Sequence, residues 1–350
     1  MSQSSSFTDG APVAQARSKA AFLRAIGLPA LIFATAAIPF LIGSYHVFQL
    51  TMVLIYTIAL LGLNILTGYN GQISIGHGAF YALGAYVAAI LMSIWAVPYW
   101  ATLPAAGGIC LIAGFLFGLP ALRLAGLYLA LATFALGMAL PQLLKFKAFE
   151  GWTGGVQGIV LDAVEVPFGL PIGADRWLYL FTLMVVMLAF WIGRNLLRGR
   201  IGRALMAIRD QPIAAETMGI NTSLYKSLAF GVSAMFTGVA GALGAIVANF
   251  VSPESFTIFL SISFLVGVVV GGVATLSGAV YGALFIQFVP NFADSISEGA
   301  PWAIYGLVLI ILAFFAPHGI AGAISRLRGR LGATRKPCSL SGAIHKRGDL

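Results

Sequence analysis

Charge is what this 350-residue chain has least of: 9% of its residues are Asp, Glu, Lys or Arg, against 59% hydrophobic. Soluble domains average about 25% charged residues, so this inventory cannot cover a water-exposed surface. Cysteine is nearly absent, with only Cys110 and Cys338. One falls within an apolar run and the other in a basic tail, without ligand-type neighbours, which excludes a disulfide framework or a cysteine metal site. The roughly ten-residue alternation of a transmembrane β-barrel is missing. So are HExxH, GxSxG, an intramembrane Asp pair and the GxxxxGK[ST] phosphate loop. An enzyme built on those motifs is excluded, and any nucleotide chemistry belongs to another chain.

What is present is a series of long apolar runs, with a mean hydropathy of +0.95. Runs of about 17–25 residues match a hydrocarbon core ~30 Å thick. Ten spans are expected, at 22–43, 46–66, 77–97, 101–119, 124–144, 177–193, 227–250, 257–274, 276–290 and 302–316. The run around Ala34-Thr35-Ala36 resembles a signal-peptide cleavage site, but its apolar stretch continues to Ile42 and favours a retained anchor. Placing the N-terminus in the cytoplasm puts 17 of the 20 Lys and Arg inside, leaving Lys145, Lys147 and Arg176 outside. That asymmetry is the positive-inside signature. The net charge of +9 therefore reports orientation and not nucleic-acid binding. The fold class is an all-α integral membrane protein, a polytopic bundle of about ten transmembrane helices with both termini cytoplasmic.

Asp, Glu, Lys and Arg are missing from the middle of every expected span. Intramembrane charges mark proton and ion pathways, so a proton-driven pump is disfavoured, while sodium coupling through carbonyls and hydroxyls stays open. Residues 1–20 read as a disordered cytoplasmic N-terminus, 21–322 as the transmembrane permease domain and 323–350 as a basic cytoplasmic tail. Two hydrophilic interruptions stand out: an external loop, 145–176, and a cytoplasmic loop, 194–226. A short internal echo also occurs. Gly78-Ala79-Phe80-Tyr81-Ala82 resembles Gly278-Ala279-Val280-Tyr281-Gly282, and both open a span running outward, as in the repeats of many transport folds.

The stretch GYNGQISIGHGAFYALGAY, 68–86, gathers polar residues between glycines amid apolar spans. Irregular backbone is tolerated at membrane depth where it faces protein or a water-filled cavity. Two readings stay open. Gln72, Ser74 and His77, joined by Asn64, would line the translocation pathway. Alternatively Gly71, Gly76, Gly78 and Gly84 are close-packing glycines and His77 is a structural histidine.

In 201–219, IGRALMAIRDQPIAAETMG, apolar Ala204, Leu205 and Ile208, then Ile213, Ala214 and Met218, suggest two short helices. Pro212 suits an early helical position, Asp210 a cap and Gly219 a stop. Such a pair is either a docking element or an amphipathic connector lying on the inner leaflet.

The order Ala214, Ala215, then Gly219 resembles the coupling-loop motif of ABC importer permeases, although Ile213 stands where that motif has Glu. The string GRALMAIRDQPIAAETMGIN is similar to the cytoplasmic loop of LivM-type permeases of branched-chain amino acid importers. The 68–86 stretch, LAGLYLALATFALG (124–137), WTGG (152–155), FLVGVVVGGVATLSGAVYGALF (264–285) and YGLVLIILAFFAPHGIAG (305–322) agree in order. The resemblance implies a bacterial inner-membrane permease subunit, not itself an enzyme, that translocates branched-chain amino acids or a related small polar solute. It would assemble with a second homologous permease, two ATPase subunits that bind ATP and Mg, and an external solute-binding protein. It further implies that residues 203–219 form the coupling helix, so Arg203, Arg209, Asp210, Ala214, Ala215, Glu216 and Gly219 would meet the ATPase. The rival class is a stand-alone secondary carrier or channel for a small solute.

Overall fold

The computed structural model describes residues 34–122, 124, 126–167, 172–296, 306–307, 309–311 and 319–333. The architecture is helical. After a helical stretch over 34–41 come α1 (Ser44–Asn64), continued by a π-helical turn (Ile65–Tyr69), α2 (His77–Ser93), α3 (Tyr99–Ala121) and α4 (Leu127–Leu144). A single turn, α5 (Glu150–Thr153), precedes α6 (Ala174–Arg198), α7 (Arg200–Asp210), α8 (Pro212–Thr217) and α9 (Thr222–Ala248). The series closes with α10 (Ile258–Gly271), α11 (Gly278–Ile296) and α12 (Gly319–Ala333). Among the described residues six helices are long and apolar enough to cross a membrane, and α2 and Gly278–Ala293 of α11 are shorter apolar helices. The chain is thus a polytopic membrane protein. Eight of the ten expected spans coincide with α1–α4, α6 and α9–α11. The first is described only from residue 34, and most of the last, 302–316, lies outside the described residues, as do 1–20 and 334–350.

Within the hydrophilic stretch 194–226 the two short helices suggested over 201–219 are α7 and α8, and helix also extends further than the apolar run: α6 runs to Arg198, Gly199 breaks it in extended backbone, and α7 starts at Arg200. Arg194 and Arg198 therefore ride on the last turns of α6, a position suited to cations at a helix C-terminus.

α9 is the centre of the bundle. It packs on α3, α2 and α1, and it and α1 are the most buried of the long helices, whereas α3, α4, α6 and α10 are largely exposed. Small residues bring these axes together. A Cβ on Gly84 of α2 would fall on the Gly238 carbonyl, one on Gly238 would fall on Cys110 Sγ of α3, and one on Gly241 would fall on the Tyr81 carbonyl. This is the close backbone contact that stabilises helix pairs in lipid, where apolar burial alone gives no drive. The exposed side chains of the outer helices, such as Ile112, Leu116, Leu131 and Trp191, form an apolar surface suited to lipid.

A two-stranded antiparallel ribbon closes one end. β1 (Ile159–Val160) pairs with β2 (Phe250–Val251), Ile159 opposite Val251, and the Leu161 N–H bonds the Asn249 carbonyl at 2.9 Å. A Lys145–Glu254 ion pair joins the same two segments. The stretch after α4 is thereby tied to the end of α9.

Gly84→Ala should destabilise the protein by about 1–3 kcal/mol through overpacking. Gly108→Ala, where an added Cβ meets nothing within 4 Å, should leave the thermal unfolding midpoint in detergent unchanged or raised.

Candidate functional site

The opposite end gathers the irregular backbone. The regular turns of α1 end at Asn64, the next five residues wind as a π-turn, and 70–76 are non-helical before α2 starts at His77. Polar groups freed by such a break must find partners inside the protein. The Ile75 N–H donates to Thr133 Oγ1 of α4 at 3.0 Å. The Gly78 N–H donates to Ser261 Oγ of α10 at 2.9 Å.

His77 is fully buried and joins three elements. Ser233 of α9 donates its hydroxyl to the Gly62 carbonyl at 2.7 Å. It must therefore accept from His77 Nε2–H, 2.7 Å away, leaving Nδ1 to accept from the Ser74 hydroxyl at 2.9 Å. These partners place a proton on Nε2. Asn64, also buried, clamps a second irregular segment, 272–277, between α10 and α11. Its Oδ1 accepts from the Ala274 N–H at 2.8 Å and its Nδ2 donates to the Thr275 carbonyl at 2.7 Å. Gln72 is half-buried, its Oε1 accepting from Asn70 Nδ2 at 2.8 Å.

The four pathway candidates are thus not gathered on one surface. Ser74 and His77 meet each other, Asn64 holds the 272–277 segment, and Gln72 stands apart. The glycines lie at close contacts: Gly76 against the Thr133 carbonyl, Gly78 against Ser261 Oγ, Gly84 against Gly238, and Gly71, at φ +75°, against the stem of Arg209. Thr133, Ser233 and Ser261 were not among the sequence candidates. Each is one small hydroxyl on an apolar helix, with no local pattern to mark its distant partner. The two echoed pentapeptides open α2 and α11, the two short helices, each directly after an irregular segment at this end.

α7 and α8 lie across this same end. Ala204, Leu205 and Ile208 face inward and Arg203 is exposed, donating to the Arg198 carbonyl. Asp210 does not cap α8. Gln211 holds that position without a side-chain bond, while the Asp210 carboxylate accepts from Arg209 Nε at 3.0 Å and pairs with Nη2 at 2.9 Å. The carboxylate is drawn to the neighbouring guanidinium instead of the helix end, and Pro212 at the first helical position removes one of the N–H groups a cap would serve. α8 closes with Gly219 at φ +81°, its N–H bonding the Glu216 carbonyl while the Ile220 N–H bonds Ala215. This double bond pattern is a Schellman stop, for which glycine is the favoured residue.

Ala215 is buried, whereas Ala214, Glu216 and Gly219 are exposed, as are the apolar Ile213 (77%) and Met218 (84%). The Glu216 carboxylate accepts from the Thr222 hydroxyl.

The chain matches the family model for the permease component of branched-chain amino acid transport systems over residues 45–316. It belongs to that family. It is similar to the high-affinity branched-chain amino acid transport system permease protein LivM of Salmonella typhimurium and of Escherichia coli. Each is 34% identical over 316 residues, covering 84% of this chain and 74% of the relative. The autoinducer 2 import system permease protein LsrC of Salmonella typhi is 28% identical over 171 residues, 45% of this chain and 47% of that protein. No solved structure matches the chain. This protein is a permease component of a branched-chain amino acid ABC transport system, a non-catalytic multi-pass subunit of the bacterial inner membrane.

Replacing Asn64 by Leu strands the Ala274 N–H and the Thr275 carbonyl, at roughly 1–3 kcal/mol for each buried group. Asn64→Asp keeps the acceptor but loses the donor and buries a charge, so it should be at least as damaging. Thermal unfolding in detergent, with protease cleavage at 272–277 as a second readout, measures both.

Proposed function

We propose that this chain crosses the inner membrane about ten times with both termini cytoplasmic, as one of two permease subunits of an importer for branched-chain amino acids. A second homologous permease, two ATPase subunits binding ATP and Mg, and an external solute-binding protein complete the complex. In this reading residues 21–322 are the permease domain, 145–176 with the ribbon forms the external landing surface, and 323–350 is a basic tail on the inner leaflet. The 17-to-3 distribution of Lys and Arg supports the orientation. The observation that carries the assembly is α7–α8, two short helices lying outside the apolar bundle with Ile213 and Met218 uncovered. Exposed apolar side chains rimmed by charge suit a groove on a soluble partner.

α8 is then the docking helix. Ala214, Glu216 and Gly219 face the ATPase together with Arg203, and Ala215 seats the helix on its own chain. ATP binding closes the ATPase dimer, and the docked helices carry that displacement to the bundle. Asn64, Gln72, Ser74 and His77 belong to the inner end of the passage, where Gln72 is the member with solvent access and the other three shape the gate from behind. The solute is a branched-chain amino acid, as for the LivM proteins, because the similarity to them spans most of both chains.

A pull-down from detergent-solubilised membranes tests the assembly. ATPase subunits should accompany the wild type and be lost from Ala214→Trp, whose exposed site tolerates the side chain within the fold. Should the wild type purify alone and still transport in liposomes without ATP, the importer assembly is wrong and the protein is a stand-alone carrier.

A further inference from the structure

Arg209 belongs to the helix pair assigned above to ATPase docking, yet its side chain, 35% exposed, reaches back to the break after α1. Its Nη1 donates to the Gly68 carbonyl in the π-turn at 2.9 Å. Its Nε and Nη2 meet the exposed carboxylate of the adjacent Asp210, so the guanidinium has a partner on each side. Its stem fills the space beside Gly71, where a Cβ would meet Arg209 Cγ at 2.8 Å. Gly68 in turn is wedged against Asn64, and a Cβ there would stand 2.5 Å from the Ala274 nitrogen. Arg209, Gly68, Asn64 and Ala274 thus form one unbroken line of contact. It runs from the end of α7, through the break after α1, to the segment joining α10 and α11.

Both segments on this line are of the kind that changes conformation. The first is a π-turn, a feature frequent at functional sites. The second carries Gly272 and Ala274 at positive φ, +125° and +59°, and a non-glycine residue there stores backbone strain. We infer that Arg209 is a positioning residue and not an ATPase contact: it is the rigid strut through which displacement of α7–α8 moves the break after α1 and, through Asn64, the 272–277 segment. Resting on the importer reading, this assigns to α8 the docking and to Arg209 the transmission. A strut predicts that force passes only while the contact is closed, and that any equally short rigid link can replace the arginine.

The geometry supplies that link. An ideal Cβ at Gly71 lies 3.6 Å from Arg209 Cβ, within the roughly 3.5–4.5 Å a disulfide spans. The complete importer is purified and reconstituted in liposomes with its binding protein and leucine, and retention of ATPase subunits, ATP hydrolysis and leucine uptake are measured together. Arg209→Gln should keep the ATPase subunits and hydrolyse ATP while uptake per ATP falls roughly tenfold, a coupling of ordinary size. Gly71→Cys with Arg209→Cys, in a chain carrying Cys338→Ser, should be equally uncoupled when reduced and recover uptake per ATP on oxidation. The same molecules serve both arms, so strain at residue 71 or a folding defect cancels. If Arg209→Gln sheds the ATPase subunits, Arg209 is a docking residue and the strut is wrong. Unchanged uptake per ATP in Arg209→Gln, or a double variant that stays uncoupled after oxidation, overturns it as well. Failure of the wild type to retain ATPase subunits refutes the importer reading instead.

Discussion

The close approach of α9 to its neighbours sets the terms for everything else in the bundle. In water a central helix is held by the expulsion of solvent from apolar side chains. Between lipid tails that drive vanishes, and helices stay together by tight packing and shared hydrogen bonds. Gly238 and Gly241 on α9, and Gly84 on α2, remove the side chains that would keep the backbones apart. α9 can then touch α1, α2 and α3 along its length. The same closeness lets Ser233 on α9 reach the Gly62 carbonyl and His77. The buried polar lattice is therefore a consequence of the small-residue seams, and it adds the directional bonds that packing alone lacks.

Two breaks at one end depend on that frame. A non-helical segment deep in the protein is stable only when each freed N–H and C=O is met. Here the donors and acceptors come from distant helices: Thr133 on α4, Ser261 on α10, and Asn64 on α1. Because Asn64 sits on the rim of the first break and bonds the backbone of the second, the two are mechanically a single unit. The echoed pentapeptides that follow them fit this arrangement. Each opens a short helix whose start must accept the geometry of the break before it.

Most of the architecture could be read from the sequence because it rests on local signals. Apolar run length located α1–α4, α6 and α9–α11 to within a few residues, and Pro212 and Gly219 marked the limits of α8. The polar stretch 68–86 was visible as an anomaly against its apolar surroundings. What escaped was pairing across the chain. Nothing near Ser233 announces that it completes the hydrogen bonds of His77, 156 residues away, and the same holds for Asn64 and Ala274. The expectation that Asp210 caps α8 failed for a local reason of competition, since Arg209 stands adjacent and claims the carboxylate. α6 continues to Arg198, beyond the 177–193 that its apolar run marks. A helix can carry cations in its last turns and extend beyond the hydrocarbon.

The distribution of charge decides how such a molecule is driven. The central turns of the long apolar helices α1, α3, α4, α6, α9 and α10 carry no Asp, Glu, Lys or Arg, so a proton gradient finds no carboxylate to titrate there. An apolar cavity of about 640 Å³ between α3, α6 and α9 is walled by side chains such as Met184, Leu188 and Val239. It suits acyl chains and offers nothing to the ammonium and carboxylate of an amino acid, whose burial unpaired would be prohibitive. The groove therefore offers no polar partner for the solute, and the central turns offer no carboxylate for a proton gradient. In the proposed importer the work enters mechanically at the end where α7 and α8 pack across the bundle. At that end the backbone is irregular, strained at Ala274, and gripped by Arg209 through Gly68. Rigid seams along α9 and a deformable pair of breaks at its end are complementary features: the first keeps the bundle intact under load, and the second gives the load somewhere to act.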